Sequence, residues 1–133
     1  MKKSRIMLAD KHANMLGGIC RLLEDEAKTV LMVADERSLY DALESFHPDV
    51  VLVDQSLPFS GGINIASALK RDFPNIKIII LSLHEERSII KDAMAAGADG
   101  FVLKRRAVID LIPAIREVLE GRKYISSLMN GVS

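Results

Sequence analysis

Four short apolar runs in this chain each lead into a polar residue able to do chemistry. Ile6-Met7-Leu8-Ala9 is followed by Asp10 and Val50-Val51-Leu52-Val53 by Asp54. Ile78-Ile79-Ile80-Leu81 is followed by Ser82 and Phe101-Val102-Leu103 by Lys104. Unbroken apolar runs of this length suit strands covered on both faces. As strands of one parallel sheet they would deliver two acids, a hydroxyl and an ammonium to its carboxyl edge, where open α/β sheets bind ligands. Those groups together are suited to placing a phosphoryl group on a carboxylate.

The segments between the runs carry helical spacing. Arg5–Asp10 reads as a strand and Asn14–Asp25 as a helix, with Met15, Leu16, Ile19, Leu22 and Leu23 on one face. Thr29–Ala34 is a second strand. Asp35 is placed to cap a helix running to Phe46, which His47-Pro48 stops. Val50–Asp54 is the third strand. The loop Gln55–Gly62 contains Leu57-Pro58 and Gly61-Gly62, and a helix over Ile63–Asp72 follows. Lys77–Leu83 is a strand and Glu85–Ala96 a helix, with Gly97 as its left-handed C-cap. Gly100–Lys104 is the fifth strand and Val108–Glu120 the fifth helix. Pro113 inside that last pattern is costly deep in a helix, so the helix should begin near Asp110 or bend at Pro113. Lys104-Arg105-Arg106 is also a poor helix entry, because cations oppose the dipole there.

Five βα units with short connections define an α/β fold, a doubly wound parallel sheet of five strands with five helices. The pattern alone does not order the strands. At 133 residues the chain fits one domain with one core. Apolar residues form 49% and charged residues 27%, and formal net charge is zero, so there is no global pull toward nucleic acid or an anionic membrane. No run is long enough to span a membrane. The apolar segment after the basic N-terminus stops at Ala9, too short for a signal peptide. Cys20, the only cysteine, sits at a core position of a helical pattern and reads as a packed residue rather than a reactive thiol. These features place the chain in the cytoplasm.

The motifs at the strand ends, taken in order, resemble those of a response regulator receiver domain over roughly residues 4 to 121. Ala9-Asp10-Lys11-His12, Gly97-Ala98-Asp99-Gly100-Phe101 and Glu120-Gly121-Arg122-Lys123-Tyr124-Ile125-Ser126 are similar to the subfamily that carries a C-terminal LuxR-type helix-turn-helix. The resemblance implies a flavodoxin-like (βα)5 fold with strand order 2-1-3-4-5. It implies a receiver over residues 1–121. Residues 122–133 would be a tail or the start of a linker to an output domain, and the chain is expected to be a receiver fragment rather than a single-domain regulator. It further implies a signalling role in a two-component system rather than an enzyme, beyond self-phosphorylation and self-dephosphorylation. The expected partners are a sensor histidine kinase, a second copy of the chain, and DNA only through a helix-turn-helix outside this chain.

The resemblance also gives each matched residue a role. Asp54 would accept the phosphoryl group from a kinase phosphohistidine. Mg2+ would be held by Asp54, the backbone carbonyl of Ser56 and an acidic pair beginning at Asp10. Lys104 would bind a phosphoryl oxygen and Ser82 another. Phe101 would turn inward as Ser82 moves. Ser56 and His84 would line the pocket mouth and tune phosphoryl lifetime.

Lys11 departs from the pattern, which has Asp or Glu there as a direct metal ligand. An ammonium has three donors and no acceptor, so it cannot ligate magnesium. Asp10 and Asp54 facing Lys11 and Lys104 sum to zero charge without any metal. Lys11 is therefore expected to pair with Asp54 or Asp10 in part replacement of the cation and to weaken Mg2+ binding, or else to turn into solvent. The substitution also supports a second reading, a pseudo-receiver acting as a phosphorylation-independent interaction or dimerisation module. A haloacid-dehalogenase-like phosphatase would need a second acid where Ser56 stands. A nucleotide-binding loop would need glycines that Asp10–Asn14 lacks. His12 and His84 lack further ligands at zinc spacing. His47 reads as a loop residue, and Arg105 and Arg106 as a solvated cluster.

Overall fold

The computed structural model describes residues 4–11, 17–59 and 64–126. Chain order is β1 (Arg5–Ala9), α1 (Gly17–Glu24), β2 (Thr29–Val33), α2 (Glu36–Phe46), β3 (Val50–Asp54), α3 (Ile65–Asp72), β4 (Lys77–Ser82), α4 (Arg87–Ala95) and β5 (Gly100–Leu103). A 3₁₀ turn at Lys104–Arg106 leads into α5 (Ala107–Leu119), and β6 (Tyr124–Ile125) follows. The sheet is parallel throughout, in the order β2-β1-β3-β4-β5-β6. Met15, Leu16, His12 and the start of the third helix at Ile63 lie outside the described residues, as do Gly61-Gly62 and the stretch 127–133.

Strand periodicity divides the core in two. Met7, Ala9, Val51, Val53, Ile78, Ile80, Phe101 and Leu103 point to the face covered by α2, α3 and α4. Ile6, Leu8, Val50, Leu52, Ile79, Leu81 and Val102 point to the face covered by α1 and α5. Alternate residues of one run thus feed opposite layers, which is why the runs are apolar without interruption. Asp35 caps α2 as expected, its Oδ1 accepting from the Ser38 amide at 2.8 Å. Gly97 follows α4 at φ +111°, where an added Cβ would also meet Lys70 Cγ at 3.0 Å.

Two expectations are corrected. The sheet has six strands, not five. Tyr124 N donates to Asp99 O at 3.1 Å and Ser126 N to Phe101 O at 2.9 Å. Ser126 Oγ accepts from Leu103 N at 3.0 Å. Without these bonds β5 would present a bare edge. Two paired residues are too few to show a period, so the stretch after Gly121 read as a tail.

Second, α5 does not wait for Asp110: it begins at Ala107 and carries Pro113 in its interior. The unfavourable cations are neutralised, Arg105 by Glu85 and Arg106 by Asp110, whose Oδ2 lies 2.9 Å from Nε. The missing proline N–H leaves the Ile109 carbonyl unserved by the helix, but Ile109 is 63% exposed and water reaches that side. An interior proline costs roughly 3 kcal/mol. Burial of Leu111, Ile115 and Val118, at roughly 1.5–3 kcal/mol each, offsets it.

Candidate functional site

Parallel strands place the ends of β1, β3, β4 and β5 along one edge, and the four polar residues meet there. Asp10, Asp54 and Ser82 are buried, and the Lys104 side chain is 18% exposed. Lys104 Nζ lies 3.1 Å from Asp10 Oδ2 and 3.0 Å from Asp54 Oδ2, so one ammonium joins both carboxylates. Ser56 closes a tight turn after β3. Its amide donates to Asp54 Oδ1 at 3.0 Å and its hydroxyl to Oδ2 at 2.9 Å. The Leu57 amide donates to the Asp54 carbonyl at 3.0 Å, which holds that turn in place.

Burial pushes the Asp54 carboxyl up, but the Ser56 amide, the Lys104 ammonium and the Ser56 hydroxyl together outweigh it and hold it below the usual carboxylate range. Burial likewise opposes the charge on Lys104, and its bonds to Asp54 and Asp10 prevail and raise it. Asp54 is therefore an ionised carboxylate at neutral pH, the form a nucleophile requires. Beside it opens a cavity of about 260 Å³ lined by Asp54, Gln55, Ser56, Leu83, His84 and Ile89.

Lys11 is exposed beyond the end of β1 and forms no ion pair among the described residues. Of the two outcomes expected for Lys11, its exposure matches the turn into solvent, and Asp10 and Asp54 are paired by Lys104, whose long stem brings its ammonium across from β5. Phe101 is fully buried among the side chains under α4, and Ser82 is held by Gln55. His84 is at the cavity wall with an exposed ring, Nδ1 3.7 Å from Glu86 Oε2. Cys20 is half-buried, and burial followed by Glu24 pushes its thiol up, away from the reactive thiolate.

The sequence reading missed one member. Ser82 Oγ donates to Gln55 Oε1, and the His84 amide donates to Ser82 Oγ at 2.9 Å. The only signal for Gln55 was its position directly after Asp54.

Comparison with known proteins identifies the class of α/β domain that this fold and site belong to. Residues 6–116 match the family described as the response regulator receiver domain, and the chain belongs to that family. It is 35% identical over 125 residues to the response regulator UvrY of Escherichia coli K12, covering 92% of this chain and 57% of that protein. It is 36% identical to the response regulator GacA of Pseudomonas aeruginosa, covering 92% and 58%. The chain thus spans a little over half the length of these curated relatives. Among solved structures, a LuxR-family response regulator from Aurantimonas sp. SI85-9A1 superposes with TM-score 0.84 at 32% identity, over 93% of this chain and 90% of that one. The isolated REC domain of RcsB from Salmonella enterica serovar Typhimurium, with the phosphomimetic BeF3-, gives 0.83 at 28%, over 93% and 94%.

Proposed function

We propose that the chain accepts a phosphoryl group on Asp54 from the phosphohistidine of a sensor histidine kinase. The observation that carries this reading is the Lys104 ammonium joining Asp10 and Asp54 beside an open cavity. An Asp54 carboxylate oxygen attacks phosphorus, the P–N bond to imidazole breaks, and the departing nitrogen takes a proton from solvent. Lys104 then transfers its pairing to a phosphoryl oxygen, so its charge follows the transferred group. The Ser56 amide at Asp54 Oδ1 fixes the carboxylate plane during attack.

The donor set fits a magnesium ion in reduced form. Two buried carboxylates, Asp10 and Asp54, converge on a single cationic point, and the Ser56 carbonyl would complete the protein ligands. Where an acid would add a third carboxylate stands exposed Lys11, and no cluster of three His, Cys, Asp or Glu occurs among the described residues. Bound there, the ion would neutralise charge on the phosphoryl oxygens. Affinity for it falls below that of a three-carboxylate pocket.

Incubation with a small phosphodonor and with a phosphorylated kinase, read by intact mass, tests the assignment. Stable labelling that Asp54→Asn abolishes is expected. Labelling that survives Asp54→Asn overturns it. Lys11 favours a second reading, a pseudo-receiver whose output does not depend on phosphate, and absence of any labelling at high magnesium would support that one instead.

The named relatives are response regulators, and a further relative, DegU of Brevibacillus brevis, is described as a transcriptional regulatory protein. By analogy the output here is control of transcription through a helix-turn-helix domain following the receiver, in the cytoplasm, with a second copy of the chain as a further partner. Among the described residues no helix is long and apolar enough to cross a membrane.

A further inference from the structure

Ser82 has one hydroxyl proton, and Gln55 takes it. The Gln55 amide donates to Leu81 O at 2.8 Å, extending the β3–β4 ladder by one bond and fixing its backbone beside Ser82. Its side chain then crosses to β4, where Oε1 accepts from Ser82 Oγ. The same Oγ accepts from the His84 amide at 2.9 Å, and among the described residues its other acceptor contact, His84 O, is a long one at 3.4 Å. A hydroxyl offers one donor and two acceptor sites. A phosphoryl oxygen on Asp54 has acceptors only, so it can bond Ser82 solely through the proton that Gln55 now holds.

We propose that Gln55 is a positioning residue that opposes capture of Ser82 by the phosphoryl group and so sets how readily the domain switches. This rests on the reading of Asp54 as phosphoacceptor. Gln55 has somewhere to go when it lets go. It lines both the cavity beside Asp54 and a second of about 280 Å³, walled by Leu57, Phe59, Ile65, Ile80 and Ala93 and bordered by Asn64. Half-buried between them, it can leave Ser82 without disturbing a packed core.

The test uses fluoroberyllate as phosphoryl mimic at saturating magnesium, with affinity followed by NMR. Gln55→Met keeps the length and volume of the side chain and removes the acceptor. It should bind fluoroberyllate about threefold to tenfold more tightly, the scale of one competing neutral hydrogen bond. Gln55→Leu should do the same and guards against a packing artefact of either variant. In a Ser82→Ala background the gain should vanish, which a merely structural role for Gln55 does not predict. Equal or weaker binding by both variants, or an undiminished gain without the Ser82 hydroxyl, overturns the proposal. Fluoroberyllate binding that survives Asp54→Asn overturns the reading of the site itself, whereas Asp54-dependent binding insensitive to Gln55 overturns only the latch.

Discussion

Lys104 Nζ and Asp54 Oδ2 stand 3.0 Å apart although their strands, β5 and β3, are separated by β4. Two strand spacings are roughly 10 Å, so only a long, flexible cation could close the gap. Lys104→Met should therefore leave Asp10 and Asp54 buried together with no cation. The expected loss is about 1–3 kcal/mol in urea unfolding, below that of a fully buried pair because the lysine is partly exposed. Phosphoryl transfer to Asp54 should fall at least tenfold in the same variant.

Magnesium affinity should respond to Lys11 in the opposite sense. Lys11→Asp restores a carboxylate after Asp10 and removes a charge that repels the ion, without touching a buried contact, since Lys11 is exposed. Magnesium titration followed by NMR should show about tenfold tighter binding in the variant. Micromolar binding at Asp54 in the unaltered chain would show that Lys11 does not weaken the site.

The site also has a defined pH window. Asp54 is lowered from 3.8, so its contribution to stability is complete above that value and is lost as pH falls through the lower folded-state pKa. Lys104 is raised from 10.5, so its contribution is complete below 10.5 and is lost as pH rises through the higher folded-state value. The stability difference between the unaltered chain and Asp54→Asn should be flat from about pH 5 to 9. Below about pH 4 it should shift against the unaltered chain, as protonation removes the ionised carboxylate's contribution. Denaturant midpoints at a series of pH values check this.

Ser126 should prove part of the folded unit. It is buried, its hydroxyl accepts from Leu103 N, and Tyr124 OH donates to Asp110 Oδ1 at 3.0 Å. Burial, then the bond to Asp110, pushes the Tyr124 phenol up to about 12. Ser126→Ala strands the Leu103 amide one residue before Lys104 and should cost about 1–2 kcal/mol. Ending the chain at Gly121 should cost more, because it bares the whole edge of β5, and amide exchange at Phe101–Leu103 should accelerate in both variants.

Much of this architecture was legible in the residues. Period-two packing of runs such as Val50–Val53 against both cores follows from covering a parallel sheet on two faces. Parallel strands must send their carboxyl ends to one edge, so Asp10, Asp54, Ser82 and Lys104 had to be neighbours. Caps such as Asp35 and Gly97 are local signals and appear where the sequence places them.

What the sequence determined by itself was the set of groups at the pocket and the absence of an acid at position 11. Only the tertiary structure decided which cation pairs with which carboxylate, that Gln55 holds the Ser82 proton, that α5 runs through Pro113, and that Tyr124–Ile125 completes the sheet. The physical reason is one of range. Periodicity and capping act within a few residues, whereas the Lys104–Asp10, Ser82–Gln55 and Ser126–Leu103 contacts join residues 94, 27 and 23 positions apart. Strand order and side-chain reach settle those contacts, and both belong to the folded chain.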